Sequence, residues 1–387
     1  VPFGEMVLSQ LVDDWSDTYL QDSEVSLRGN ELLRNAIGLF ESVREVIKSE
    51  SVDRVFAWNG RRPSDGPVLF AAKSLGVEHF AHITGGRLDR LFVLATTRIH
   101  DRIAAMELRD RFLDDSVQHH GEEAVLRDGA SYFSELESGN VTTVGFRAWR
   151  AQFREDRGDV RTTRFVFFTN SPFERAFMTD FRNDTPGHED LFAYLEALHA
   201  ALPRFLAHEL TVRWHPNLSS AGSGLRERLQ KCRDATPSFQ HVLPTSSANS
   251  YRLLGGAELV IVNGSTMGPE AVSRGKPMVL VGVAQYSGMG LGKEVNSVPG
   301  LVEVLRQPPR AVDRGRAFLF GYYMKNFGNY EPRFVSWLGG GSVKIGRKRL
   351  DRSACLLAGM FALWMRSRLT RLVEGMQRAS FNLSRRR

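Results

Sequence analysis

The residues between Asn263 and Gly282 read NGSTMGPEAVSRGKPMVLVG and place Gly264, Ser265 and Thr266 directly after the apolar run ELVIV, ahead of a segment with helical character. A glycine there lets the backbone pass close to a ligand. The two hydroxyl residues offer side-chain and amide donors at a helix N-terminus, where the peptide dipoles favour an anion such as phosphate. Pro269 suits a first helical turn. Glu270 follows Thr266 by four residues, about one turn, so both can face one ligand. A carboxylate in that place accepts hydrogen bonds from ribose hydroxyls while the helix end holds a diphosphate. A plain strand–turn–helix with a Ser/Thr cap uses the same residue types, and a glutamate in a second turn is also a common solvated residue.

Three further segments carry candidate chemistry. In TVRWHPN, Arg213 and His215 are two apart and share one face at the end of a strand. Pro216 stops ladder pairing and turns the imidazole outward, where it can meet a phosphate near neutral pH; a histidine capping a turn is the alternative. In FFTNSPFE, the post-strand loop Thr169, Asn170 and Ser171 would open a second sheet toward a cleft. In WNGRRP and TGGR, Asn59, Arg61 and Arg87 lie in post-strand loops and are candidates for an anionic acceptor or a donor phosphate. His82 and Asp65, with Asp89 nearby, are the groups there able to act as a general base. Surface arginines are common, and turn chemistry alone accounts for such loops.

These residues need elements to hold them. Asn30 to Glu50 has the apolar spacing of an amphipathic helix. A short strand at Val52 to Trp58, a helix near Val68 to Leu75 and a strand at Glu78 to Ile83 follow. Residues 97–160 read as charged helices, and RGDVRTTR as a connection. A second alternation then begins: strands at Arg164 to Thr169, Glu209 to Trp214, His241 to Leu243, Glu258 to Val262 and PMVLVG, with helices at His188 to Leu206, Ala248 to Gly255 and MGPEAVSRG. Near-continuous apolar strands between helices mean a sheet buried on both faces. The expected class is α/β, with two Rossmann-like domains facing a cleft. The domains are read as 1–160 on the acceptor side, 161–310 for nucleotide-sugar binding, and 311–387 as C-terminal helices and a basic tail. Little sheet precedes Val52, so the first domain is a candidate for an incomplete one.

Composition bounds the rest. The 387 residues are 42% hydrophobic and 25% charged, which fits globular domains. Two cysteines, Cys232 and Cys355, argue against a disulfide framework and for a reducing compartment. No Cys/His cluster offers a metal site, and no Asp-x-Asp sits in a suitable loop, so no metal and no cofactor are expected. The N-terminus lacks a secretory pattern. Leu301 to Arg387 carries 18 Lys+Arg against 5 Asp+Glu, whereas the remainder carries 33 against 39. A basic tail on an acidic body suits an anionic partner, and a membrane surface is preferred over nucleic acid. The apolar run SACLLAGMFALWM, Ser353 to Met365, is too short to span a bilayer. It can lie at the interface or pack back on the first domain.

Taken in order, NGR, a GG loop, FxTNSPFE, RxHPN and GSTxGxEAxxxGKP resemble bacterial capsule and surface-polysaccharide glycosyltransferases, over roughly residues 30–290, with Gly264 to Pro277 the most specific part. The resemblance implies a GT-B fold and metal-independent transfer from a nucleotide sugar to a surface glycan, with basic groups and helix ends stabilising the leaving phosphate. The His-Pro and Ser/Thr…Glu pairing is also similar to transferases using cytidine-linked donors, sialic acid and Kdo transferases among them, and leans toward that donor. By this resemblance His215, Ser265 and Thr266 hold phosphate and Glu270 holds ribose. A lipid-linked acceptor would place the protein at the inner face of the cytoplasmic membrane. The acidic base motif of sialyltransferases has no counterpart here. Two rival readings keep the fold: a nucleotide-sugar epimerase, and a capsule-assembly scaffold without turnover.

Overall fold

The structure is a computed structural model and describes residues 1–20, 22–86, 90–138, 163–171, 190–328, 335–339, 342–345 and 348–350. The first unit opens with helices α1 (Phe3–Trp15) and α2 (Asp22–Ser49). Strand β1 (Arg54–Trp58), helix α3 (Gly66–Ser74), strand β2 (Glu78–Thr84) and strand β3 (Leu91–Leu94) follow. The sheet order is β1-β2-β3, with β1 parallel to β2 and β3 antiparallel to β2. Its Val55, Ala81, Phe92 and Leu94 side pack on Leu69, Ala72 and Phe40. Helices α4 (Arg102–His120) and α5 (Glu122–Ser138) complete the unit.

The second unit alternates more regularly. Strand β4 (Phe165–Phe168) leads to helices α6 (Leu191–Ala201) and α7 (Arg204–Ala207), then β5 (Leu210–Arg213), α8 (Ser223–Ala235) and β6 (Gln240–Val242). Helix α9 (Ser250–Gly256), β7 (Leu259–Val262), α10 (Met267–Ser273), β8 (Met278–Val281), β9 (Lys293–Val295), α11 (Val298–Arg306) and α12 (Arg314–Asn326) follow. All five pairings are parallel, in the order β6-β5-β4-β7-β8-β9. Alternate residues serve two cores. Phe165, Phe167, Val212 and Ile261 point to α6, α8 and α11, while Val166, Phe168, Val260 and Val262 point to α10 and α12. Each such fully buried side chain contributes roughly 1.5–3 kcal/mol, and burial of both faces explains why these strands lack polar alternation.

Several contacts join the units. Helix α5 lies along α12 so closely that a methyl at Gly129 would clash with the Phe318 carbonyl oxygen. Lys325 at the end of α12 donates to Asp128, Ser131 and Glu135 at 2.7–3.0 Å. Arg109 of α4 is buried and donates to the carbonyls of Gln285 and Ser287. On another edge Asp17, just past α1, accepts the backbone N–H of Gly224 at 2.9 Å and of Leu225 at 3.2 Å, and so caps α8 from outside.

The expected alternation of strands and helices is present, with differences that have physical causes. Pro203 splits the expected helix 188–206 into α6 and α7. After α12 the backbone forms three antiparallel strands, β10 (Val335–Gly339), β11 (Ser342–Ile345) and β12 (Lys348–Leu350), where helices alone were expected. The β-branched alternation of SVKI and the glycines before it favour that outcome. The RGDVRTTR connection, apart from its last two residues, and the apolar run 353–365 lie outside the described residues. Among the described residues no helix is long and apolar enough to cross a membrane.

Candidate functional site

Strand β4 is the first strand of its sheet and lies at the centre. The chain builds outward through β5 and β6, then crosses back to lay β7 on the other side of β4. Counted in chain order this is the 3-2-1-4-5-6 arrangement, and its topological switch falls between β4 and β7. The helices following β4 and β7 leave on opposite faces, which opens a crevice at the carboxyl ends of these strands, where such sheets bind ligands. Phe168 pairs with Val262, so Thr169 and Asn263 emerge side by side.

On the β7 side Gly264 adopts φ +71°, a left-handed conformation that suits glycine. Ser265 and Thr266 are half-buried at the start of α10, and the Ser265 hydroxyl accepts the Met267 N–H at 3.3 Å. The Tyr286 hydroxyl donates to the Ser265 carbonyl at 2.7 Å and fixes the turn from the β8–β9 connection. On the β4 side the buried Thr169 hydroxyl accepts the His215 N–H at 2.9 Å, so the loops after β4 and β5 are tied together. Asn170 is half-buried beside it, and the Ser171 hydroxyl is buried with no partner among the described residues.

His215 begins the short 3₁₀ turn Pro216–Ser220, and its Nδ1 accepts the Asn217 N–H at 3.2 Å. That bond puts the ring proton of the neutral imidazole on Nε2. Burial, aided by the nearby Arg213 charge, pushes its pKa down to about 4. It therefore contributes a hydrogen bond rather than a positive charge at neutral pH. Arg213 has a different task from the one its spacing suggests. Its guanidinium is buried and donates to the carbonyls of Leu243 and Ser246, which shapes the loop before α9. A residue two before the strand-end histidine faces the same way, but the carbonyls of the neighbouring β6 loop take its donors.

Glu270 is 7% exposed at a cavity of about 180 Å³ that Tyr251, Arg274 and the α5 residues Phe133, Ser134 and Glu137 also line. Its carboxylate accepts the hydroxyls of Tyr251 and Thr266, and burial pushes its pKa up to about 7. Thr266 and Glu270, one turn apart, thus touch each other. Drug-sized ligand pockets hold roughly 300–1,000 Å³, so this cavity suits a part of a nucleotide such as its ribose.

In the first unit the predicted residues divide differently. Asp65 is buried and accepts the Arg62 N–H at 2.9 Å, with the Gly66 and Gly60 amides also near. Desolvation raises its pKa to about 6, yet its lone pairs serve the loop after β1, and the structure gives it a loop-forming task in place of the expected base. Arg61 is not an open anion site, because it ion-pairs with Asp13 of α1, which Arg62 also contacts at 2.9 Å. Asn59 holds φ +60° and exchanges backbone bonds with His82 and Ile99. Its side-chain oxygen is buried without a partner among the described residues. His82 packs edge-on against Trp58 at 5.5 Å, its Nδ1 has no partner among the described residues, and desolvation lowers its pKa. Gly85 and Gly86 do not open to a cleft. They pack on the end of α12, where Gly86 donates to the Phe327 carbonyl at 2.7 Å. Arg87 and Asp89 lie outside the described residues.

Tyr251, Arg274 and Tyr286 escaped the sequence reading. Tyr251 and Tyr286 stand in no motif and Arg274 occupies an unspecified position of one, and only the fold brings them to the loop and carboxylate they support. Among the described residues no group of three or more His, Cys, Asp or Glu side chains is arranged to hold a metal ion.

Residues 186–312 match the sequence model of a family described as capsule polysaccharide biosynthesis protein. That stretch takes in five of the six strands of the second sheet, along with His215 and Gly264 to Glu270. Among solved structures, the chain is similar to the KpsC beta-Kdo 2,7 transferase of Thermosulfurimonas dismutans, at 14% identity and TM-score 0.42, covering 73% of this chain and 80% of that one. The KpsC beta-Kdo 2,4 transferase of the same organism gives 15% and 0.42, covering 70% and 79%. The UDP-GlcNAc 2-epimerase of Neisseria meningitidis bound to UDP-GlcNAc gives 12% and 0.37, covering 83% and 94%. No curated protein matches the chain in sequence.

Proposed function

We propose that this chain is a glycosyltransferase of capsule-type polysaccharide assembly that takes its sugar from a nucleotide donor held at the β4–β7 crevice. The observation that carries the reading is the side-by-side placement, at the carboxyl ends of the neighbouring strands β5, β4 and β7, of the His215 turn, Thr169 and Gly264 to Thr266, with Glu270 one helical turn beyond. The amides and hydroxyls at the start of α10 and the His215 Nε2–H would hold the donor phosphate, and Glu270 would accept the ribose hydroxyls. The family match over this same sheet supports the capsule assignment. In the reaction an acceptor hydroxyl oxygen bonds to the anomeric carbon, the bond to the nucleotide phosphate breaks, and the acceptor proton passes to a base. His82, neutral and with an unpaired Nδ1 among the described residues, is the candidate for that base.

The motif resemblance leans toward a cytidine-linked donor. The basic C-terminal tail would hold the protein against an anionic membrane at its cytoplasmic face, beside a lipid-linked acceptor. A panel of nucleotide sugars offered with capsule-type oligosaccharides tests the reading. Elongation of the oligosaccharide with release of nucleotide is the expected result. Interconversion of the donor sugar without transfer would point instead to an epimerase, and binding without either reaction to a scaffold.

A further inference from the structure

The cavity beside Glu270 is walled on one side by a helix of the first unit. The α5 residues Phe133, Ser134 and Glu137 face Tyr251, Glu270 and Arg274 across it. The charged and titratable groups around this space are Tyr132, Glu135 and Glu137 on α5, Tyr251 on α9, Arg274 just past the end of α10, and Arg314 of α12, which donates to the Arg274 carbonyl at 3.4 Å. Glu135 is held by Lys325 at 3.0 Å. Arg274 is the cation that bears on the Glu270 carboxylate. Its guanidinium lies 4.6 Å over the Tyr251 ring and ion-pairs with Glu137 at 2.8 Å, while the Tyr251 hydroxyl bonds to Glu270.

We propose that Glu137 is a positioning residue: by holding the Arg274 guanidinium over Tyr251 it keeps a positive charge beside the Glu270 carboxylate and keeps that carboxylate able to accept ribose hydroxyls. The second half of this statement rests on the ribose reading of Glu270 given above. The Glu137 side chain is 61% exposed, so the pair itself contributes little to stability and its effect is on where Arg274 sits. Helix α5 is in turn fixed to α12 through Lys325 and the Gly129 contact, so the seating of a first-unit helix reaches the nucleotide site of the second. Burial opposes ionisation of Glu270, and the Arg274 charge works against that opposition.

The test follows the Glu270 carboxyl by carbon NMR through a pH titration, with Glu270→Gln identifying its signal. Glu137→Ala should move the Glu270 midpoint upward. Glu137→Gln, which keeps the side-chain length and an oxygen beside the Arg274 guanidinium, should restore most of the original value. Affinity for a nucleoside phosphate should fall about three- to tenfold in Glu137→Ala at neutral pH and recover at alkaline pH, since ionisation is what is lost. An unchanged Glu270 midpoint overturns the proposal, as does an affinity loss equal at every pH. If the midpoint moves as expected but the unaltered protein binds no nucleotide at any pH, the ribose reading fails while the placement of Arg274 by Glu137 is supported.

Discussion

Glu270 is a carboxylate kept from water, and its protonation has a consequence for stability. Its folded pKa of about 7 lies above the ordinary 4.5, so the folded state favours the protonated form. The stability this gives is full below about pH 4.5 and is lost as the pH rises through about 7. Glu270→Gln should therefore be stabilising at alkaline pH, on the order of 2–4 kcal/mol, and nearly neutral at about pH 4. Urea unfolding at a series of pH values checks this, and parallel curves for the two proteins would contradict it. His215 titrates the other way: its depressed pKa of about 4 leaves it neutral through the physiological range. His215→Ala should weaken binding of a nucleoside phosphate much more than binding of the bare nucleoside, whereas equal losses by calorimetry would mark it as a turn-forming residue. At this scale the sequence was legible where local geometry decides. The spacing of Thr266 and Glu270 on one helix and the position of Gly264 after a strand needed no tertiary information. Arg61 and Arg213 were not legible, because Asp13 and the Leu243 carbonyl that claim them come from distant chain.

Among the elements, the strands of the second sheet were readable from their apolar runs, since both faces are buried. Two strands were not: β9 is the edge strand of that sheet and its Lys293 and Glu294 are exposed, so no apolar run marks it, and β3 pairs antiparallel at the edge of the first sheet, outside the parallel alternation. Helix α1 was also missed, and its importance lies in partners far along the chain. Its following residue Asp17 caps α8 across the unit boundary. Asp17→Ala should lower stability by about 1 kcal/mol or somewhat more, as loss of a cap does, measured by thermal or urea unfolding. Gly129 is the point of closest approach between α5 and α12. Gly129→Ala should cost roughly 1–3 kcal/mol through overpacking. Because α5 also carries Glu137, that variant should weaken nucleotide binding as well, and full retention of affinity would separate the helix contact from the site.

For the whole molecule the uneven charge matters. Residues 301–387 are strongly basic on an otherwise acidic chain, and basic side chains near an anionic leaflet contribute about 1 kcal/mol each before screening. The full chain should co-sediment with anionic vesicles at low salt more than a chain ending at Gly341; equal binding would remove the tail from any membrane role. The two units are joined by α5 on α12, by Arg109 and by Asp17, none of which a motif reveals. The switch point between β4 and β7 was likewise invisible, because strand order is a property of the folded sheet and not of any segment. Whether a nucleotide sits at that switch point is read directly from a crystal structure of the protein soaked with a set of nucleotides. Phosphate oxygens are expected on the amides of Ser265, Thr266 and Met267, with ribose hydroxyls on Glu270. A nucleotide bound away from the β4–β7 crevice, with that crevice empty, would contradict that expectation.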